Sequence, residues 1–190
     1  CARIDAFVEA QAQGTPFHRT GWLLAGAKGC GQKAHYLTAE RDGAIIGVLP
    51  LSEIRSPLFG AAMVSTGFGV DGGVLGEGAE PLAEAAWALA VERGIESVEL
   101  RGGPVPDGWT ADADSYLGFV RPIAADDEAE MKAIPRKQRA ELRKALAQEL
   151  EVVTGRTPAL LAEHYRIYAE SVRNLGTPVF PARLFREAVA

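Results

Sequence analysis

Apolar positions along the chain switch between helical and alternating spacing, and the switches mark its elements. Ile4, Phe7, Val8 and Ala12 recur at helical spacing, which predicts an amphipathic helix over Arg3–Gln13, ended by Gly14–Thr15–Pro16. A short second helix is predicted over Gly21–Ala27, following Phe17 and His18. His35–Glu40 and Ala44–Ile54 read as paired strands, because Arg41–Asp42–Gly43 places an Asp-Gly turn between two apolar runs. After a break at Ser56–Pro57, Ala61–Ser65 reads as a third strand. Leu82, Ala86, Leu89 and Ala90 form the buried face of a helix over Ala79–Arg93, with Pro81 in its first turn and Gly94 as its C-cap. Ile95–Arg101 and Tyr116–Ile123 read as further strands. This order predicts an α/β (α+β) domain over residues 1–125, with a mixed sheet flanked by helices.

From residue 126 onward the spacing is almost entirely helical. Asp126–Ala133 is an acidic helical lead-in, Pro135–Leu150 a basic helix, and Leu150–Thr154 a short strand. Thr157–Pro158 carries an N-cap and a first-turn proline, which opens a helix to about Val172. Leu161, His164, Tyr165, Tyr168 and Val172 share one of its faces. A loop over Arg173–Pro181 and a last helix over Ala182–Ala190 complete the chain. Helices with almost no sheet cannot close a core, so 126–190 is expected to be the opening of a second, incomplete domain.

Composition excludes several classes. The chain is 47% hydrophobic and 24% charged over 190 residues, as in ordinary globular proteins. A net charge of −5 argues against binding nucleic acid over the whole surface, and no DNA partner is expected. Cys1 and Cys30, with three scattered histidines, give neither a disulfide framework nor metal-ligand spacing, so no metal is expected and a reducing cytoplasm is the default location. No apolar run approaches the roughly 20 residues that span a bilayer. The chain begins at Cys1 rather than Met, which leaves a native start and any leader open.

Two stretches carry candidate chemistry. In Pro135–Leu150, Arg136, Arg139 and Arg143 fall on one side of the helix, at about 100° per residue, beside Leu142, Leu146 and Leu150. These cations crowd a helix N-terminus and repel one another, local costs that an anion would offset. The anion is a phosphate or carboxylate ligand, or the upstream acids Asp126, Asp127, Glu128 and Glu130; a solvated basic face is the competing reading. In the second stretch, Arg173 and Asn174 precede Gly176, Pro178 and Pro181, a restricted backbone suited to positioning a ligand. A plain helix C-terminus accounts for Arg173 and Gly176 equally well. Between Gly67 and Gly78 stand six glycines with Asp71 among them, a loop able to approach a ligand or a neighbouring strand closely. The glycines at 26–31 lack a phosphate-loop pattern, and the acetyl-CoA fingerprint [QR]xxGx[GA] has only the near match Arg173-x-x-Gly176-x-Pro178. His18, His35 and His164 lie in unrelated contexts and read as structural, so no catalytic residue is assigned.

Together, IPRKQRAELRKAL (Ile134–Leu146) and SVRNLGTPVFPARLF (Ser171–Phe185) resemble the FemAB-like branch of the GNAT acyltransferase superfamily, in the form associated with PEP-CTERM/exosortase systems. FHRTGW (Phe17–Trp22) and the meander–helix–strand order resemble it too. The resemblance implies a GNAT-like first domain over 1–125 and the opening helices of a second GNAT-like domain over 126–190. It implies transfer of an acyl or aminoacyl group, from acyl-CoA or aminoacyl-tRNA, to an amine of a small-molecule, cell-envelope or exopolysaccharide-related precursor. Arg136, Arg139 and Arg143 would then bind phosphate or carboxylate, and Arg173, Asn174 and Thr177 would orient the substrate. The alternative is a non-catalytic GNAT-like module that binds an anionic partner through the same arginines.

Overall fold

The computed structural model describes residues 1–148 and 150–190. They form two compact units, Cys1–Thr110 with Arg156–Ala190, and Ala111–Gly155.

The first unit is a mixed sheet flanked by helices. Its strands are β1 (Lys33–Arg41), β2 (Ala44–Ser56), β3 (Gly60–Ser65), β4 (Leu75–Gly76) and β5 (Val98–Leu100). β1 and β2 form the expected hairpin, and Asp42 and Gly43 both adopt positive φ (51° and 76°), the geometry of a type I′ turn. β3 lies antiparallel to the last residues of β2, and β5 lies parallel to β3. β4 pairs antiparallel with β2 at Gly47 and Val48. The chain between β3 and β4 therefore leaves the edge of β2 and returns further along it. Pro50 falls in the interval that neither β3 nor β4 pairs, where a residue without an N–H is tolerated.

Alternation along β2 separates two cores. Leu49 and Leu51 pack with Met63, Val74 and Ile95 against Leu82, Ala86 and Ala90 of α3 (Ala79–Glu92). Val48 packs on the opposite face with Leu75 and with Val8 of α1 (Ala2–Ala10). α3 ends as expected: Gly94 takes φ 63° and donates to Val91 O at 3.0 Å, while the Ile95 N–H reaches Ala90 O at 2.8 Å. This is a Schellman closure.

One buried residue on the α3 side is charged. The Glu53 side chain is 1% exposed and takes hydrogen bonds from Arg55 Nε (2.8 Å), His35 Nε2 (3.0 Å) and Lys33 Nζ (3.4 Å). Arg93 at the end of α3 stands 3.8 Å away. Burial pushes the Glu53 carboxyl up, but the hydrogen bonds from Arg55 and His35 and the charges of Lys33 and Arg55 outweigh it and hold the pKa at about 2. Arg55 also donates to Arg93 O at 2.7 Å, so the cluster ties the end of β2 to the end of α3.

The last two helices belong to this unit. α6 (Pro158–Asn174) is capped by Thr157, whose side chain accepts the Leu160 N–H at 3.3 Å. α7 (Ala182–Val189) packs on α2 (Thr20–Cys30), and Leu184 is its one buried residue. Gly29 makes that approach close: a Cβ there would stand 2.5 Å from Leu184 Cα.

The second unit contains α4 (Asp127–Ala133), capped by Asp126 through the Ala129 N–H, and α5 (Arg136–Leu146). Neither helix buries a residue. Two expected strands do not form. Tyr116–Ile123 and Leu150–Thr154 carry no strand, and their apolar side chains are exposed, Val120 fully so; of the helix expected over Pro135–Leu150, residue 149 lies outside the described residues. An alternating pattern becomes a strand only when another strand offers hydrogen bonds, and this unit contains none among its described residues. Ile95–Arg101 shortens to β5 for the same reason, since β3 pairs only its last part.

Two outcomes follow. Glu53→Gln is expected to cost about 1.5–3 kcal/mol in denaturant unfolding, because it removes charge-assisted hydrogen bonds that the partly exposed cations make to a buried carboxylate. In the intact protein Glu53 stabilises the fold in full above its unfolded pKa near 4.5, and that contribution, about 3 kcal/mol, is lost as pH falls from 4.5 towards 2. Gly29→Ala is expected to cost about 1–3 kcal/mol and to speed proteolysis after Gly176, with α7 displaced; unchanged protection would contradict the packing described.

Candidate functional site

The carboxyl ends of β3 and β5 point the same way, and the glycine-rich chain from Thr66 to Gly78 folds over them. In open α/β sheets this is where ligands are received. Several groups hold the loop. Trp22 Nε1–H donates to Gly67 O at 3.1 Å, and the Gly67 N–H donates to the buried Ser52 Oγ at 3.1 Å. The Arg101 N–H donates to Ser65 Oγ at 3.0 Å, while its guanidinium reaches Gly69 O at 3.2 Å. Phe68 is held at φ 62°, a strained conformation for a residue with a side chain.

The glycines serve contact between backbones. The Gly73 N–H donates to Arg101 O at 2.7 Å, and a Cβ on Gly73 would lie 1.9 Å from Gly102 O. A Cβ on Gly47 would lie 1.8 Å from Glu77 O. Of the two things these glycines were expected to approach, the structure supplies the neighbouring chain.

Beside this loop lies a cavity of about 640 Å³, lined by Thr15, His18, Asp71, Gly73, Gly103 and Pro104 among others. His18 closes a short 3-10 turn, Pro16–His18, and is buried. Its Nδ1 accepts the Thr15 N–H at 3.2 Å, which leaves Nε2–H to donate to Gly73 O at 3.1 Å. Burial lowers the His18 pKa, against the opposing pull of Gly73 O and Asp71. Neutral and with both nitrogens engaged, His18 is a strut. Tyr36 OH donates to His18 O at 2.5 Å and fixes the turn to β1; burial, with the charge of Asp5, pushes the Tyr36 pKa up. Asp71 is exposed to the cavity and held through its backbone, where the Thr15 hydroxyl donates to Asp71 O at 2.9 Å. Its carboxylate has no ion pair or hydrogen bond among the described residues.

Arg136, Arg139 and Arg143 lie on α5 in the second unit, whereas Arg173, Asn174 and Thr177 lie at the end of α6 in the first. Arg139 turns back on the α4–α5 corner, with Nη2 donating to Lys132 O at 3.0 Å and Ile134 O at 2.9 Å. Arg136 and Arg143 have no ion pair among the described residues, and neither does Arg173. Asn174 is the last residue of α6. The loop after it is a second Schellman closure: Gly176, at φ 71°, donates to Arg173 O at 3.0 Å and the Thr177 N–H donates to Val172 O at 2.9 Å. Both amides of the near match to the acetyl-CoA fingerprint are therefore engaged, and Pro178 has none to give. Phe180 in the same loop packs edge-on against Phe68, with ring centroids 4.9 Å apart. The two glycine-bearing loops thus meet.

His164 is exposed on α6, where a core position was expected, with its ring 5.9 Å from Phe185. His35 serves the Glu53 cluster. Among the described residues no group of three or more His, Cys, Asp or Glu side chains is placed to hold a metal ion, and no helix is long and apolar enough to cross a membrane. No protein-family model matches the chain, and no curated protein does.

Arg139→Ala is expected to loosen the α4–α5 corner and lower helical signal, whereas Arg173→Ala, which removes no bond, should change stability by less than about 0.5 kcal/mol. Circular dichroism with denaturant unfolding of both variants checks this; equal losses would contradict the difference in roles.

Proposed function

We propose that the chain is part of an N-acyltransferase or aminoacyltransferase of FemAB/GNAT type, acting on an amine of a cell-envelope or exopolysaccharide-related acceptor. The observation that carries this proposal is the connection through the sheet. An antiparallel β1–β2–β3 meander crosses through α3 to a β5 parallel to β3, and the glycine-rich loop and its cavity lie at the carboxyl ends of that pair. The paired stretches at Ile134–Leu146 and Ser171–Phe185 support the same family. Residues 126–190 would then open a second GNAT-like domain, with Arg156–Ala190 belonging to the compact unit of the first.

Catalysis in such a site rests on positioning and electrostatics, without a covalent intermediate. The donor supplies the activated acyl carbon. A coenzyme A pyrophosphate fits poorly at two places in this chain. The turn at Gly176 has spent its amides, and the start of α3 already carries Glu77 and Glu80, which complement the helix dipole. Aminoacyl-tRNA is the better-fitting donor of the two. Arg136 and Arg143, which have no ion pair among the described residues, remain suited to phosphate or carboxylate. The same arginines favour a second proposal, a non-catalytic module that binds an anionic partner.

Thermal-shift measurements with acetyl-CoA, longer acyl-CoAs and UDP-sugar precursors separate the two. A ligand at 100 times its Kd adds about 2.7 kcal/mol. Stabilisation by the sugar nucleotide alone is the expected result for the transferase. Stabilisation by an acyl-CoA would overturn the preference for an aminoacyl donor, and indifference to all of them would favour the module.

A further inference from the structure

The one carboxylate facing the 640 Å³ cavity is set up in an unusual way. Asp71 sits in a loop whose backbone is fixed on both sides. Thr15 holds its carbonyl, and two residues on the Gly73 N–H is held by Arg101 O. Its side chain lies against Gly102: a Cβ at that glycine would stand 3.0 Å from Asp71 Oδ1, and Gly102 adopts φ 74°. The conformation at Gly102 disfavours other residues there, and the carboxylate lies against that stretch of backbone.

Among the described residues no cation pairs with it. The named cavity residues Gln13 and Thr15 are uncharged, and burial lowers the His18 pKa and so disfavours its charged form. Arg101, which precedes Gly102, is turned towards Glu99 and the carbonyls of Thr66 and Gly69. A second cavity, about 380 Å³, differs in this respect: its Arg19 is paired with Glu9, and its Asp5 accepts from the N–H and hydroxyl of Thr20. An unpaired carboxylate on a rigid wall, in a cavity with no positive group, selects a cation able to donate hydrogen bonds. A primary ammonium meets that description. Its charge would satisfy Asp71.

We propose that this cavity binds the amine-bearing ligand of the protein as its ammonium form, with Asp71 as the residue that selects it. The assignment rests on the transferase reading for the identity of that ligand, as the acceptor; the charge preference itself requires no donor and is measured without one. Before any transfer step the bound ammonium must lose a proton, and the exposed side of the cavity gives it access to water.

The test uses amide chemical-shift mapping on the 190-residue chain, with Nα-acetyl-lysine amide as the amine probe. Its Nε-acetylated analogue serves as the neutral counterpart. The amine is expected to shift the amides of Thr15, Asp71, Gly72, Gly73 and Gly103. Acetylation of the probe, or Asp71→Asn, should weaken binding on the order of tenfold, the loss of one charge-assisted hydrogen bond. Asp71→Glu, which keeps the charge, should bind more tightly than Asp71→Asn. The spectrum of Asp71→Asn away from the cavity verifies its fold. Equal binding of the two probes, an unchanged affinity in Asp71→Asn, or no shifts at these amides would each overturn the proposal. None of those results bears on donor binding, so the transferase reading stands or falls separately.

Discussion

Backbone meets backbone where the glycine-rich chain returns to the sheet, and the candidate site depends on that contact. Gly73 donates to Arg101 O at 2.7 Å, with no room between Gly73 and Gly102 for even a methyl group. This junction sets β4 on β2, turns Asp71 towards the cavity and gives His18 a carbonyl to hold. A side chain at Gly73 would have to push the loop off the ends of β3 and β5. The strain at Phe68 and the packing of Phe180 against it lie one step away in the same arrangement.

The two ends of the sheet do different work. Near the last residues of β2, opposite Met63 of β3, Glu53 draws Lys33, His35, Arg55 and Arg93 together and fastens β2 to α3. That cluster is dense in charge, yet every cation in it already faces the same carboxylate or the C-terminus of a helix. In the cavity beside the carboxyl ends of β3 and β5 the reverse holds: one carboxylate, no lysine or arginine among the described lining residues, and open volume. Charge that is already paired supports the fold, whereas unpaired charge on a rigid wall marks a place for a ligand.

Much of the fold was legible in the sequence. The Asp42–Gly43 turn, the Gly94 closure of α3 and the Thr157–Pro158 start of α6 are local signals, and each stands where the residues put it. The mixed sheet flanked by helices also followed from the order of elements. What failed was Tyr116–Ile123, because alternation reports a surface and not whether a partner strand exists. The Glu53 cluster was missed for a related reason. Cross-strand partners depend on register, and a bulge between Ala39 and Glu40 shifts the hairpin by one before Lys33 meets Glu53. The candidate site was half visible: six glycines around Asp71 announced a close approach, but only the fold shows that the approach is to Gly102 and that His18 stands beside it. Arg139 illustrates the opposite error of emphasis, since a helical wheel displays its charge but not the carbonyls of Lys132 and Ile134 that it reaches.

The central claim is that a small ligand is received at the carboxyl ends of β3 and β5, under the glycine-rich loop. Hydrogen–deuterium exchange, with and without a saturating UDP-sugar precursor, tests it most directly. Protection at residues 66–76 and 101–104, with α5 unchanged, is the predicted result. Protection confined to α5, or none at the loop, would contradict the claim and move the site to the basic helix.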